Sequence, residues 1–183
     1  IHEMKEFPNL LPREGFFGGR TNTIKLYHQV NDDEKILYYD FCSLYPAVLR
    51  KYAYPLSHPT IIRDVDSTDI SNYNGMIFCS ILPPTNLIFA VLPVRIEDKC
   101  FYPLCNTCAI EMSEHCDHDD EERMLTGIWT TVDLKLAVEK NYKIIRIFEI
   151  WNFEKMSEIV NNENILFGPF VRQVIKGKIE ASG

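Results

Sequence analysis

Lys35-Ile-Leu-Tyr-Tyr-Asp-Phe-Cys-Ser-Leu-Tyr-Pro-Ala-Val-Leu-Arg50 changes character halfway along. Ile36 to Tyr39 is a run of strand formers, whereas Pro46 to Tyr52 reads as a helix. Pro46 suits a first helical turn, where its missing N–H costs no hydrogen bond. Leu44, Val48 and Tyr52 then recur at helical spacing. Asp40 sits at the join, and the turn and first helical turn beyond it carry free backbone N–H groups that attract phosphate. A carboxylate beside such an anion cradle suits a metal ion bound to a nucleotide. The plainer alternative is a buried strand-to-helix turn with an Asp cap.

Working outward, Thr23 to Val30 alternates Ile24, Leu26, His28 and Val30, a strand pattern, and Asn31-Asp32-Asp33-Glu34 is a turn. The sequence thus predicts a hairpin whose second strand, Lys35 to Asp40, presents Asp40 at a sheet end. His28 shares a face with Ile24 and Leu26 and reads as structural rather than as a ligand. Residues 1–15 are irregular, punctuated by Pro8 and Pro12, and lead to Phe16-Phe17-Gly18-Gly19-Arg20. Paired glycines permit close backbone approaches that side chains forbid. Downstream, Tyr54-Pro55 and His58-Pro59 mark a loop, Thr60 to Val65 a short strand, and residues 66–74 are turn-like. Met76 to Leu82 and Leu87 to Ile96 are apolar runs split by Pro83-Pro84-Thr85-Asn86, a hairpin pattern. Thr126 to Thr130 reads as a strand. A helix is expected over Asp133 to Lys140, capped by Thr130 or Thr131, with Asn141 in the left-handed position after it. Lys143 to Phe153 alternates as a strand, and Leu166 to Ser182 is an amphipathic helix. The expected class is α+β: an antiparallel sheet with packed helices and a small Cys/His-rich insertion.

A chain of 183 residues is one domain or a large piece of one, and its 46% hydrophobic content supports a core. No apolar run approaches the roughly 20 residues that span a bilayer, so no membrane partner is expected. No signal or transit peptide is visible, and the first residue is Ile1 rather than Met, so a longer natural chain is expected. The net charge of −7 argues at first sight against nucleic-acid binding. That charge is local. Glu111, Glu114, Asp117, Asp119, Asp120, Glu121 and Glu122 fall together with no Lys or Arg among residues 111–122. Those seven aside, the 26 acids and 19 bases balance, which permits a basic groove.

Six cysteines are present, Cys42, Cys79, Cys100, Cys105, Cys108 and Cys116. Without an export signal, metal binding or reduced thiols are expected rather than disulfides, in an intracellular reducing compartment. Cys105-Asn-Thr-Cys108 followed by Cys116-Asp-His118 offers three thiolates and an imidazole, a donor set for a closed tetrahedral zinc site. The second pair is tighter than usual spacings, with Cys100 and His115 as substitutes. A metal-free loop on an insertion is the alternative. A Zn²⁺ here is structural, because protein fills all four positions.

Tyr39-Asp40-Phe41-Cys42-Ser43-Leu44-Tyr45-Pro46 resembles motif A of the family B DNA polymerases, D-x-x-S-L-Y-P, and the branch it looks closest to is protein-primed. Phe16-Phe17-Gly18-Gly19 resembles the family's Y-x-G-G/A element, which touches the template strand. Phe16 stands in the Tyr place without its hydroxyl, and an ordinary turn is the alternative. Trp129 to Ala137, Tyr142 and Glu149 to Phe153 resemble the region that holds the first terminal-protein insertion. Lys176 and Lys178 look like the approach to the fingers, although two helical lysines are commonly just solvated.

The resemblance implies nucleotidyl transfer from a dNTP to a primer 3′ hydroxyl on a DNA template, with two Mg²⁺ ions and a terminal priming protein. It assigns Asp40 as a shared metal carboxylate and the Phe41 carbonyl as a further ligand. Ser43, Leu44 and Tyr45 offer backbone N–H groups to the triphosphate, and the Tyr45 ring lies beneath the sugar and excludes a 2′-hydroxyl. Arg20 joins Phe16, Gly18, Gly19, Lys176 and Lys178 as a DNA contact. The expected segments are a palm part over 1–96, a Cys/His-rich insertion over 97–124 and a part leading toward the fingers over 125–183. Which reducing compartment holds the chain, a nuclear, mitochondrial or viral replication site, stays open. The lysine-rich motif B and the D-T-D turn of motif C do not occur in this sequence, so the chain alone is expected to be inactive. Two other classes stay open: a non-catalytic zinc-binding relic acting as a binding module, and a zinc-dependent hydrolase or nuclease.

Overall fold

The computed structural model describes residues 9–21, 23–63 and 65–181. Residues 1–8 of the expected irregular segment, Asp64 of the expected strand, and Ser182 and Gly183 at the end of the last helix lie outside the described residues. The chain forms two compact units, one comprising the residues up to Gly18 with Ser57–Glu154, the other Gly19–Leu56 with Lys155–Gly183.

The first unit is built on a four-stranded antiparallel sheet of β1 (Thr60–Arg63), β2 (Gly75–Leu82), β5 (Leu125–Thr130) and β6 (Lys143–Asn152), in the order β1-β6-β2-β5. Two short strands, β3 (Val94–Ile96) and β4 (Lys99–Phe101), form a separate hairpin. Its turn residues Glu97 and Asp98 both take left-handed φ, as tight hairpins require. β2 is central and buried on both faces. Ile77, Cys79 and Ile81 pack with Leu125, Trp129, Ile147 and Ile150 on one side, whereas Met76 and Phe78 meet Leu10 and Ile128 on the other. That two-sided burial explains why its sequence is a continuous apolar run instead of an alternation.

α4 (Thr131–Glu139) carries the chain from β5 to β6 and buries Leu134 and Ala137 in the main core. Thr130 caps it, its hydroxyl accepting the Asp133 N–H at 3.2 Å, and Asn141 takes φ +68° just past its end. The sequence expectations for β1, β2, β5, β6 and α4 therefore hold, as does the α+β class.

Two expected hairpins do not form. The run Leu87 to Ile96 is no return strand for β2, because β5 and β6 already occupy both edges of β2. Residues 87–93 instead lie over the core without a ladder. Fully buried Leu92 supplies their apolar contact, the Trp129 indole donates to the Pro93 carbonyl at 2.8 Å, and the Val91 N–H donates to the Tyr142 hydroxyl at 3.0 Å. In the second unit, the Asn31–Glu34 turn closes as expected, with the Glu34 N–H donating to the Asn31 carbonyl at 3.0 Å. Thr23–Val30 and Lys35–Asp40 nevertheless form no ladder. Their apolar side chains, Leu26 at 99% and Tyr38 at 93% exposure, meet no covering face.

The second unit contains α1 (Leu44–Lys51), α5 (Gly168–Ala181) and the small hairpin β7 (Ile159–Val160)–β8 (Glu163–Asn164). α1 packs on α5 and β8. No helix among the described residues is long and apolar enough to cross a membrane.

Trp129 combines core volume with the bond that holds the 87–93 segment. Trp129→Phe is expected to lower the unfolding free energy by about 1–3 kcal/mol, because the Pro93 carbonyl loses its buried donor. Urea denaturation measures this, and a loss under about 0.5 kcal/mol, typical of a surface change, contradicts it.

Candidate functional site

Two groups of residues can do chemistry. The first is the stretch around Asp40. Ser43 takes a left-handed backbone (φ 55°) at the N-cap of α1, and the Ala47 N–H donates to its carbonyl at 3.0 Å. This turn brings Asp40, Phe41, Ser43, Leu44 and Tyr45 to the start of the helix, all exposed. Asp40 makes no hydrogen bond or ion pair among the described residues, so its carboxylate is available to a ligand. It does not close a ladder strand, because residues 35–40 have no strand partner.

Three residues that the sequence did not single out hold this helix in place. Asn164, fully buried, uses every hydrogen-bonding position of its side chain. Its amide nitrogen donates to the Tyr52 carbonyl at 2.8 Å and the Ser157 hydroxyl at 2.6 Å. Its oxygen accepts the N–H groups of Leu166 and Phe167 at 2.8 and 3.1 Å. Ser157 in turn accepts the Tyr54 N–H at 2.8 Å. Glu163 stands between Arg50 of α1 and Arg172 of α5. Arg172 donates to its Oε2, and Arg50 Nε lies 2.7 Å from Oε1 but out of line for a hydrogen bond. Burial pushes the Tyr54 phenol up from its ordinary pKa, and its ring meets Phe167 edge-on at 5.0 Å. The one sequence signal was the Asn-rich turn before the last helix, a common capping composition.

The residues expected to meet DNA are spread over both units. Phe16 is exposed, and the Glu14 and Phe16 carbonyls accept from Arg95, whose guanidinium also lies 4.6 Å above the Phe17 ring. The boundary between the two units falls between Gly18 and Gly19. Neither glycine has a positive φ, and a Cβ at either would meet nothing within 4 Å. The fold of the described residues therefore does not itself demand glycine there. Arg20, Lys176 and Lys178 are exposed on the second unit, with Lys176 3.7 Å from Glu180 one turn on.

The second group is the cysteine cluster. Cys105 caps α2 (Asn106–Glu111), its sulfur accepting the Cys108 N–H at 3.4 Å, so both sulfurs sit at one helix start. Cys116 and His118 return to them ahead of α3 (Asp120–Arg123). The four donor atoms lie within 4.8 Å of one another. His118 Nδ1 is 3.6, 3.3 and 3.9 Å from the sulfurs of Cys105, Cys108 and Cys116. A tetrahedral ion bonded at about 2.0–2.3 Å implies edges of about 3.5 Å, so the donor set fits Zn²⁺.

Hydrogen bonds from His118 pull the Cys116 thiol down to about 7. Desolvation, then the neighbouring thiols, push Cys108 up to about 12. The hydrogen bond with Cys116 raises the His118 imidazole. Thiols this close resist shared ionisation until a cation enters. Cys100 and His115 are not among the four donors. Cys100 lies exposed on β4, and His115 offers its carbonyl to Cys108 at 3.5 Å. Buried Arg123 ties the insertion down, donating to the Pro83 and Leu104 carbonyls at 2.8 and 3.4 Å.

Residues 12–182 match the profile of one protein family, described as DNA polymerase type B, organellar and viral. No curated protein and no solved structure matches the chain significantly.

Asn164→Ala is expected to cost about 2–4 kcal/mol, since four hydrogen bonds are lost and buried partners are left without one. Hydrogen exchange at the Leu166 and Phe167 amides is the local readout. Unchanged protection there contradicts the assignment.

Proposed function

The chain belongs to the organellar and viral type B DNA polymerases, and on that premise we propose that it is the motif A part of a protein-primed replicative polymerase. In this reading residues 1–96 belong to the palm, 97–124 form a metal-bound insertion, and 125–183 lead toward the fingers. The reaction is nucleotidyl transfer. The primer 3′ hydroxyl gives up its proton as its oxygen bonds to the α-phosphorus of a dNTP, the bond from that phosphorus to the α–β bridging oxygen breaks, and pyrophosphate leaves. The observation that carries the reading is an exposed, unengaged Asp40 just before a helix N-terminus, in a stretch that keeps D-x-x-S-L-Y-P inside the family match.

Each residue then has a part. The Asp40 carboxylate and the Phe41 carbonyl are hard oxygen donors of the kind magnesium takes. They supply one side of a two-ion site and not all of it, which is why the chain alone is expected to be inactive. Bound magnesium stabilises the attacking and leaving oxygens in such transfers. The N–H groups of Ser43, Leu44 and Tyr45 at the helix start would be offered to the triphosphate, where the helix start favours negative charge. The Tyr45 ring excludes a 2′-hydroxyl. Phe16, Gly18, Gly19 and Arg20 approach the template, supported by the open space around both glycines, and Lys176 and Lys178 add cations to the DNA path. Cys105, Cys108, Cys116 and His118 hold a structural Zn²⁺. Clustered thiolate donors suit a reducing compartment, whether nuclear, mitochondrial or viral.

A second reading, a zinc-binding relic that serves only as a binding module, is favoured by one observation. The four zinc donors are assembled, whereas motif A contributes a single carboxylate. Incorporation assays on the polymerase that contains this chain separate the two.

Asp40→Ala is expected to abolish nucleotide incorporation in that polymerase with no change in thermal midpoint, because the side chain is exposed and unbonded. Wild-type incorporation refutes the role. Tyr45→Val is expected to admit ribonucleotides at least 10-fold more readily, about 1.4 kcal/mol of lost discrimination. Unchanged sugar selectivity removes the gate.

A further inference from the structure

α2 begins with Cys105 as its cap, carries Cys108 one turn later and ends on Glu111 one turn after that. Positions three apart share a helix face, so Glu111 stands above the sulfurs. Its Oε2 lies 3.9 Å from His118 Nε2, while the other ring nitrogen, Nδ1, faces the three thiols. A histidine that binds a metal through one nitrogen keeps its ring in place by donating the other N–H to a carboxylate, a carbonyl or water.

We propose that Glu111 is the positioning residue of this metal centre: it accepts the Nε2 proton of His118 and so fixes the tautomer whose Nδ1 lone pair faces Zn²⁺. The proposal rests on the zinc reading above. Among the described residues Glu111 is the carboxylate within ion-pair distance of His118, and two neighbouring carboxylates are engaged elsewhere. Glu122 accepts the Asp119 N–H at 3.1 Å, and Asp119 accepts the N–H groups of Glu121 and Glu122 at 2.9 Å, together a capping box for α3. Glu111 makes no other hydrogen bond or ion pair among the described residues. Its side chain is 60% exposed, so no packing holds it at 3.9 Å from the ring. Cys105, Cys108 and Glu111 thus place two ligands and the support for a third ligand on one short helix.

The experiment measures Zn²⁺ affinity by chelator competition in the purified full-length protein under reducing conditions. It compares wild type with Cys105→Ser, Glu111→Ala, Glu111→Gln and Glu114→Ala, and records the Co²⁺ thiolate bands of each. Wild type is expected to bind one Zn²⁺ that Cys105→Ser loses. Glu111→Ala is expected to bind 10- to 100-fold more weakly with the thiolate bands retained. Glu111→Gln, which keeps an accepting oxygen, falls between, and Glu114→Ala, which removes the same charge from a residue that makes no ion pair with His118, matches wild type. Equal binding by wild type and Cys105→Ser overturns the zinc reading itself. Zinc bound by wild type and by Glu111→Ala within twofold overturns the positioning role alone. So does a loss in Glu114→Ala as large as in Glu111→Ala, or Glu111→Gln no tighter than Glu111→Ala.

Discussion

A strand needs partners for its peptide groups and a covering face for its side chains. β2 has both, with β5 and β6 on its two edges and apolar clusters above and below. The remainder of the first unit follows from that saturation. α4 must cross from one flanking strand to the other, and residues 87–93 are displaced onto the core and held by side-chain donors and acceptors. The stretch before Asp40 has neither support. Ile36 to Tyr39 is rich in strand formers yet exposed and unladdered. Unpaired extended chain of this kind is a ready template for another strand.

The readable parts of the sequence were those whose signals are local. Thr130 at its cap, Asn141 in the left-handed position and the alternation of Lys143 to Asn152 each declare their structure within a few residues. The hairpins failed for the opposite reason. Alternation in Thr23–Val30 states which side chains share a face, but not whether a partner exists to cover it. The apolar run Leu87 to Ile96 states burial, but not that both edges of β2 are taken. Asn164 was illegible because its four partners lie in three separate stretches of chain, and only the fold brings Tyr52, Ser157 and Leu166–Phe167 together.

The two candidate centres differ in how they could be read. The cysteine spacing offered these four donors with Cys100 and His115 as substitutes, and the structure gathers Cys105, Cys108, Cys116 and His118. Glu111 was visible only as one acid in a run, and its meaning comes from a three-residue helical spacing and a distance to His118. The residues around Asp40 that resemble motif A were legible by that resemblance alone and stand exposed at a helix start. Ligand chemistry keeps the two sites apart, since thiolates and imidazole select zinc and carboxylate oxygen selects magnesium.

The most direct measurement tests whether a divalent ion binds at Asp40. In the polymerase that contains this chain, assembled with primer, template and dNTP, Fe²⁺ replaces Mg²⁺ and hydroxyl radicals generated at the bound iron cut the nearby backbone. Scission confined to Tyr39–Cys42 within this chain, suppressed by excess Mg²⁺, is the expected result. An uncut Ile36–Tyr45 stretch, with scission elsewhere in residues 1–183, contradicts a divalent ion at Asp40.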